Sequence, residues 1–179
     1  MHSRLQIIHV QFIIKSVCVG LIVGIVVSCF RWSIEKSLSF WQLLYRQASI
    51  NPTLILIILI ANLGIGLFIG YLSQSQPHIM GSGIPEVEGQ INNQLQLAWW
   101  LIFWRKFVAG TLAIGSGLFL GREGPSIQLG ATLGQGLGEY FEDNLPNQKV
   151  IFAAGAAAGL AAAFNAPLAG NFLFRLFLS

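Results

Sequence analysis

Gly121-Arg122-Glu123-Gly124-Pro125 sets two charges inside sequence that has none: Phe107 to Gly121 and Gly124 to Gly138 are fifteen uncharged residues on either side. Forty residues upstream, Gly81-Ser82-Gly83-Ile84-Pro85 repeats the frame of glycines followed by a proline. Proline suits the first turn of a helix, where its missing N–H costs nothing. Each pentapeptide therefore reads as a tight turn opening a helix, with the free amides of the helix end pointing out of the turn and the positive end of the dipole behind them.

The surroundings of these turns are apolar. Of 179 residues, 54% are hydrophobic and 9% charged, against roughly 25% charged in a soluble domain. Gln47 to Pro85 and Val150 to Phe174 contain no Asp, Glu, Lys or Arg, and each exceeds the ~20 residues that span hydrocarbon as a helix. An all-helical, integral and multi-pass membrane protein follows, in a plasma or inner membrane. Ser16 to Phe30 reads as an uncleaved first membrane helix and not a signal peptide, because further apolar segments follow it.

The net charge of +3 is small, and Lys15, Arg31, Lys36, Arg46, Arg105 and Lys106 fall near the ends of apolar runs. They read as topology and interface anchors, which excludes a nucleic-acid surface. Cys18 and Cys29 match neither a redox pair nor a zinc pattern and read as buried small hydrophobes.

Along the chain, the pattern predicts a first helix from Gln11 to Arg46, with Trp32, Trp41 and Tyr45 as interfacial anchors. A second helix is capped by Asn51, carries Pro52 in its first turn and runs through Leu54 to Ser73. A polar loop covers Ser73 to His78, and a short segment Pro85 to Asn92. Further helices begin at Trp99, near Pro125, near Asn147 and near Ala166. Several are too short to cross ~30 Å of hydrocarbon, as in transporters whose broken helices stop near the midplane. The glycine pairs 20/24, 66/70, 117/121, 130/134 and 155/159 have the small-xxx-small spacing that lets backbones approach.

The two glycine turns make an anion site the expected chemistry. Chloride accepts hydrogen bonds and donates none, so a dehydrated ion needs N–H and O–H donors with a weak positive field. The Ser82 hydroxyl and the amides around Gly83, Ile84, Glu123 and Gly124 are such donors. A charge at membrane depth marks a functional site by default, and Glu123 stands where an anion would stand. Ionised, its carboxylate occupies the anion's place; protonated, it leaves, which makes a gate and proton acceptor. The residue types exclude a familiar enzyme: His2, His9 and His78 offer no base on a later helix, and neither a phosphate loop nor a His-Glu-x-x-His pair is present. No metal or cofactor is expected, with chloride as transported ion.

Three strings, GSGIPEVEG (81–89), GREGP (121–125) and GAAAGLAAAFNAPLAG (155–170), resemble the signature segments of the CLC family of chloride channels and chloride/proton antiporters. The resemblance covers Gln11 to Gly170. It implies that Ser82 coordinates a central chloride, that Glu123 is the external gate and proton acceptor, and that Phe164, Asn165 and Pro167 shape the fold. It also implies the first half of an inverted repeat, with residues 1–179 a partial transmembrane domain truncated after GLAAAFNAPLAG. The family's inner glutamate has no counterpart in Asn171 to Ser179, and its second half, remaining chloride ligands and most of its homodimer interface lie outside this chain. On that expectation the chain is either half of a chloride transporter that needs a separate partner or a non-conducting fragment.

Overall fold

The computed structural model describes residues 2–141 and 145–178. Among the described residues there are seven α-helices and no strand: α1 (His2–Ala48), α2 (Thr53–Ser75), α3 (Ile84–Ile91), α4 (Trp99–Gly115), α5 (Glu123–Tyr140), α6 (Leu145–Phe164) and α7 (Pro167–Leu178), with a 3-10 turn at Pro77–Ile79.

α5 is the centre. Every residue from Pro125 to Thr132 is buried, with α6 packed along one side, α4 along another and α1 lying across all three. The α5–α6 contact is backbone on backbone. A Cβ on Gly130 would meet the Gly155 carbonyl oxygen, and one on Gly134 would lie 2.7 Å from the Ile151 oxygen; on the other helix, a Cβ on Gly159 would meet the Ser126 oxygen. The glycines of 130/134 and 155/159 thus interlock, as their spacing predicts. Gly20, Gly24, Gly66 and Gly70 have nothing within 4 Å, so identical spacing there makes no close helix contact among the described residues.

α1 holds the bundle with one stripe. Val19, Val23, Val27, Phe30 and Ile34 follow the three-and-four spacing of a single helix face and are all buried, the valines against Ile151 on α6 and the last two against Ile114 and Leu129. Gly110 on α4 gives room to Phe30, whose ring would be 3.0 Å from a Cβ there. The outer faces of α1 and α2 expose Leu21, Ile25, Ile57, Leu59, Leu63 and Leu67. Both helices are long and apolar enough to cross a membrane, and a helix apolar all round is a membrane span or a buried core helix.

Several boundaries differ from the sequence pattern. α1 starts nine residues before Gln11 and ends at Ala48, which at 1.5 Å per residue is about 70 Å of helix, more than twice the hydrocarbon thickness. Pro52, not Asn51, occupies the cap position of α2, and no side chain caps it. α2 runs to Ser75, three residues into the expected polar loop, and α6 starts at Leu145, two before Asn147. The short, broken elements are as expected: α3 has 8 residues, about 12 Å. One aromatic reading also changes. Trp41 is buried against Ala48 and Ile58, where α2 returns along α1, and is no interfacial anchor; Tyr45 donates its hydroxyl to the Ser116 carbonyl at 3.2 Å. Cys29 is exposed and Cys18 half-buried, because both fall off the Val19–Val27 stripe.

Candidate functional site

The two glycine turns meet. Gly124, second residue of α5, lies so close to the earlier turn that an added Cβ would be 2.6 Å from the Ser82 oxygen and 2.8 Å from its Cα and Cβ. Gly83 is the cap of α3 at φ 79°, in the left-handed region that glycine enters without steric cost, and a side chain there would run into Gln128. Pro85 is the second residue of α3, as the pattern requires. Pro125 is the third residue of α5 and not its opening, because the helix begins at Glu123. That shift places the Glu123 carboxylate on the first turn itself.

Ser82, Ile84, Glu123 and Gly124 line one cavity of about 640 Å³, together with Lys106 and the α4 residues Ala109 and Ala113. Its donors follow from the hydrogen-bond inventory. The first bond of α5 runs from the Ser126 amide to the Arg122 carbonyl and that of α3 from the Val87 amide to the Gly83 carbonyl, so the amides ahead of them have no helical acceptor. Those of Gly81, Ser82, Gly83, Glu123 and Gly124 have no acceptor among the described residues. The Ile84 amide differs from expectation: it donates to Ser82 Oγ at 3.3 Å, which engages it locally and leaves the serine O–H free to donate. Ser82 is exposed and Glu123 half-buried, so both are accessible from the cavity. Chemically, the arrangement is a cluster of N–H and O–H donors with one carboxylate able to compete for them.

Several residues around the site carry no motif. Arg122 Nη1 pairs with Glu35 Oε1 of α1 at 3.3 Å, tying the Glu123 turn to the long helix. Lys106 is no interface anchor: it is 3% exposed, and its ammonium donates to the carbonyls of Ile79 at 2.8 Å and Gly81 at 2.9 Å. Its periodicity carries the signal, since Lys106 shares the buried face of α4 with Ile102, Ala109 and Ala113 whereas Arg105 falls one residue off it. Gln128 donates from Nε2 to the His78 carbonyl at 2.8 Å. Arg31 donates to the Ala162 carbonyl at 2.8 Å and to Asn165 Oδ1 at 2.9 Å, tying the middle of α1 to the end of α6.

The third string behaves in part as expected. Asn165 turns the chain between α6 and α7 at φ 54°, and Pro167 opens α7. Phe164 is 54% exposed, on the outside of the turn. The side chains of His2 and His9 lie outside the described residues.

The fold and much of the sequence are shared with known proteins. A crystal structure of a slow cyanobacterial Cl−/H+ antiporter superposes with a TM-score of 0.84 at 37% identity over 89% of this chain and 38% of that one. The H(+)/Cl(−) exchange transporter ClcA of Vibrio cholerae is 47% identical over 106 residues, 58% of this chain and 23% of the relative. That of Vibrio campbellii is 39% identical over 157 residues, 84% of this chain and 33% of the relative. The chain therefore spans between about a quarter and two-fifths of the length of these proteins. The sequence model described as voltage gated chloride channel matches residues 65–175, and with the fold, the relatives and the paired glycine turns in agreement, the chain belongs to that chloride channel and antiporter family of membrane proteins.

Proposed function

We propose that this chain forms one half of an anion pathway that exchanges chloride for protons across a membrane, with Glu123 as its gate and proton acceptor. One observation carries the reading: four residues whose amides have no acceptor among the described residues, Gly81, Ser82, Glu123 and Gly124, line the same cavity as the Ser82 hydroxyl, whereas Gly83, expected to join them, is buried and not part of the lining. Such a set suits an ion that only accepts hydrogen bonds, and partial charges hold it loosely enough for release. Chloride is the anion favoured by the relatives, which are named for exchanging it with H+. The carboxylate of Glu123 stands on the first turn of α5, where it competes for the same donors when charged.

The remaining parts of the reading rest on the lengths of the relatives. A second half, supplied by further polypeptide, completes the ion's shell, and the family homodimer brings two such pathways side by side. The chain acts in this way as a transporter and not an enzyme, without a resident cofactor, as a multi-pass protein of a plasma or inner membrane.

The test is chloride binding to the purified chain in lipid nanodiscs, followed by the broadening of the 35Cl magnetic resonance line. Saturable broadening is expected, lost in Ser82→Ala. In Glu123→Gln chloride binds more tightly, because the competing carboxylate is gone, and binding no longer weakens as pH rises. Broadening that does not saturate, or the same pH dependence in Glu123→Gln, refutes the reading.

A further inference from the structure

The loop that carries Ser82 has a donor face because most of its carbonyls are occupied elsewhere, those of Met80 and Ser82 being the exceptions among the described residues. Between Gln76 and Gly83, the Gln76 carbonyl accepts from the Ile79 amide, Pro77 from Met80 and Gly83 from Val87. Three others are taken by side chains from outside the loop: His78 by Gln128 Nε2, and Ile79 and Gly81 by Lys106 Nζ. Over the same stretch, the amides of Gly81, Ser82 and Gly83 have no acceptor among the described residues.

A peptide plane turns as a unit, so a carbonyl drawn to one side sends the next residue's N–H to the other. The Gly81 carbonyl bound by Lys106 fixes the plane that carries the free Ser82 amide, while the Ile79 and His78 carbonyls, bound by Lys106 and Gln128, fix planes whose amides, of Met80 and Ile79, close the preceding turn onto Pro77 and Gln76. Lys106 and Gln128 come from different helices, α4 and α5. Both are essentially buried, and desolvated donors of this kind hold their acceptors firmly.

We infer that Lys106 and Gln128 are positioning residues for anion recognition: by holding the His78, Ile79 and Gly81 carbonyls they keep those acceptors out of the cavity and present the Ser82 hydroxyl and amide to a small anion. Lys106 brings an ammonium to the cavity wall, bonded to carbonyls and within the field of the Glu86 carboxylate. Gln128 brings no charge. The inference rests on the chloride reading of this cavity and deepens it, by assigning the selection of anions over cations to two side chains outside the glycine motifs.

The two contributions separate by substitution, in the whole chain in nanodiscs, with 35Cl and 23Na line broadening as readouts and thermal unfolding as the measure of structure. Lys106→Met removes the donors and the charge, and chloride affinity is expected to fall at least about tenfold, the effect of losing a charged hydrogen bond. Lys106→Arg keeps both and is expected to stay within about threefold of the unsubstituted chain, on the same scale. Gln128→Met removes a donor without changing charge, and is expected to weaken chloride about threefold or more while sodium broadening rises as the His78 carbonyl is freed. A purely structural role would move the unfolding midpoint and leave the chloride-to-sodium preference unchanged. Where Lys106→Met does not fold, the other two variants decide: unchanged ion preference in Gln128→Met overturns the inference. Chloride binding lost in Ser82→Ala but retained in Lys106→Met and Gln128→Met overturns this inference alone, whereas no saturable binding by the unsubstituted chain overturns the site reading and the inference with it.

Discussion

A methyl group at Gly124 would sit 2.6 Å from the Ser82 carbonyl oxygen and 2.8 Å from its Cα, and neither backbone atom can rotate away. The position is the joint between the two turns, so its substitution tests whether their approach matters. Gly124→Ala is expected to destabilise the chain by about 1–3 kcal/mol, the usual cost of overpacking, and to push the Ser82 and Glu123 amides apart. Chloride affinity should then fall by more than the stability loss alone would cause. The check is a 35Cl titration well below the unfolding temperature, where native-like affinity in Gly124→Ala would mean that the two turns need not touch. The glycine was legible as a helix-end residue, but its neighbour was not. Nothing local in Gly121 to Pro125 says that Ser82 lies against it, since that contact is made by the path of α3 and α4 between them. Glu35, the partner of Arg122, was hidden for the same reason, lying 87 residues away on α1.

At the scale of elements, α5 and α6 are held by glycines that admit the opposite backbone, and the same spacing elsewhere has no such work. Gly130→Ala would meet the Gly155 carbonyl oxygen and come within 3.0 Å of Gly159 Cα. Gly20→Ala meets nothing within 4 Å. The first is expected to lower stability by about 1–3 kcal/mol through overpacking, and the second to raise it by up to about 1 kcal/mol, because alanine is the better helix former. Unfolding by denaturing detergent, followed by circular dichroism, checks both; equal effects would refute the interlocked crossing. Sequence located these pairs but could not rank them, since spacing reports a helix face and not what faces it. It did better on the short helices: Gly83 with Pro85, and Gly124 with Pro125, mark helix starts because only the first turn tolerates a missing N–H. The long helices were harder to end. α1 extends past Gln11 and Arg46 because nothing in its flanks breaks a helix until Asn51-Pro52. Lys106 shows what is lost when charge is read before periodicity: its place on the Ile102–Ala109–Ala113 face outweighed its charge.

For the whole molecule, the question is what these helices accomplish in a bilayer without further polypeptide. Insertion needs only apolar length, and α2, with 23 residues, covers about 34 Å at 1.5 Å per residue, enough for a ~30 Å hydrocarbon core. Conduction needs a shell closed around the ion. Here the donors come from one side, from two helix starts and one hydroxyl, and Ser82 and Gly121 are exposed, as are Leu118, Phe119 and Leu120 beside them. Irregular backbone at membrane depth survives only where protein or water covers it, and each unsatisfied polar group left to lipid costs several kcal/mol. In an inverted-repeat transporter the site forms between two halves, and on the function proposed above a second half supplies this cover. The chain by itself is therefore expected to insert and to bind chloride weakly, but to pass it no faster than empty liposomes do. Co-reconstitution with a polypeptide corresponding to the remainder of the similar cyanobacterial antiporter is expected to raise chloride efflux above that background and couple it to proton movement, with the coupling lost in Glu123→Gln. Chloride-electrode recordings of efflux decide the matter: rapid efflux from liposomes holding this chain alone would show that its donors close around the ion without a second half.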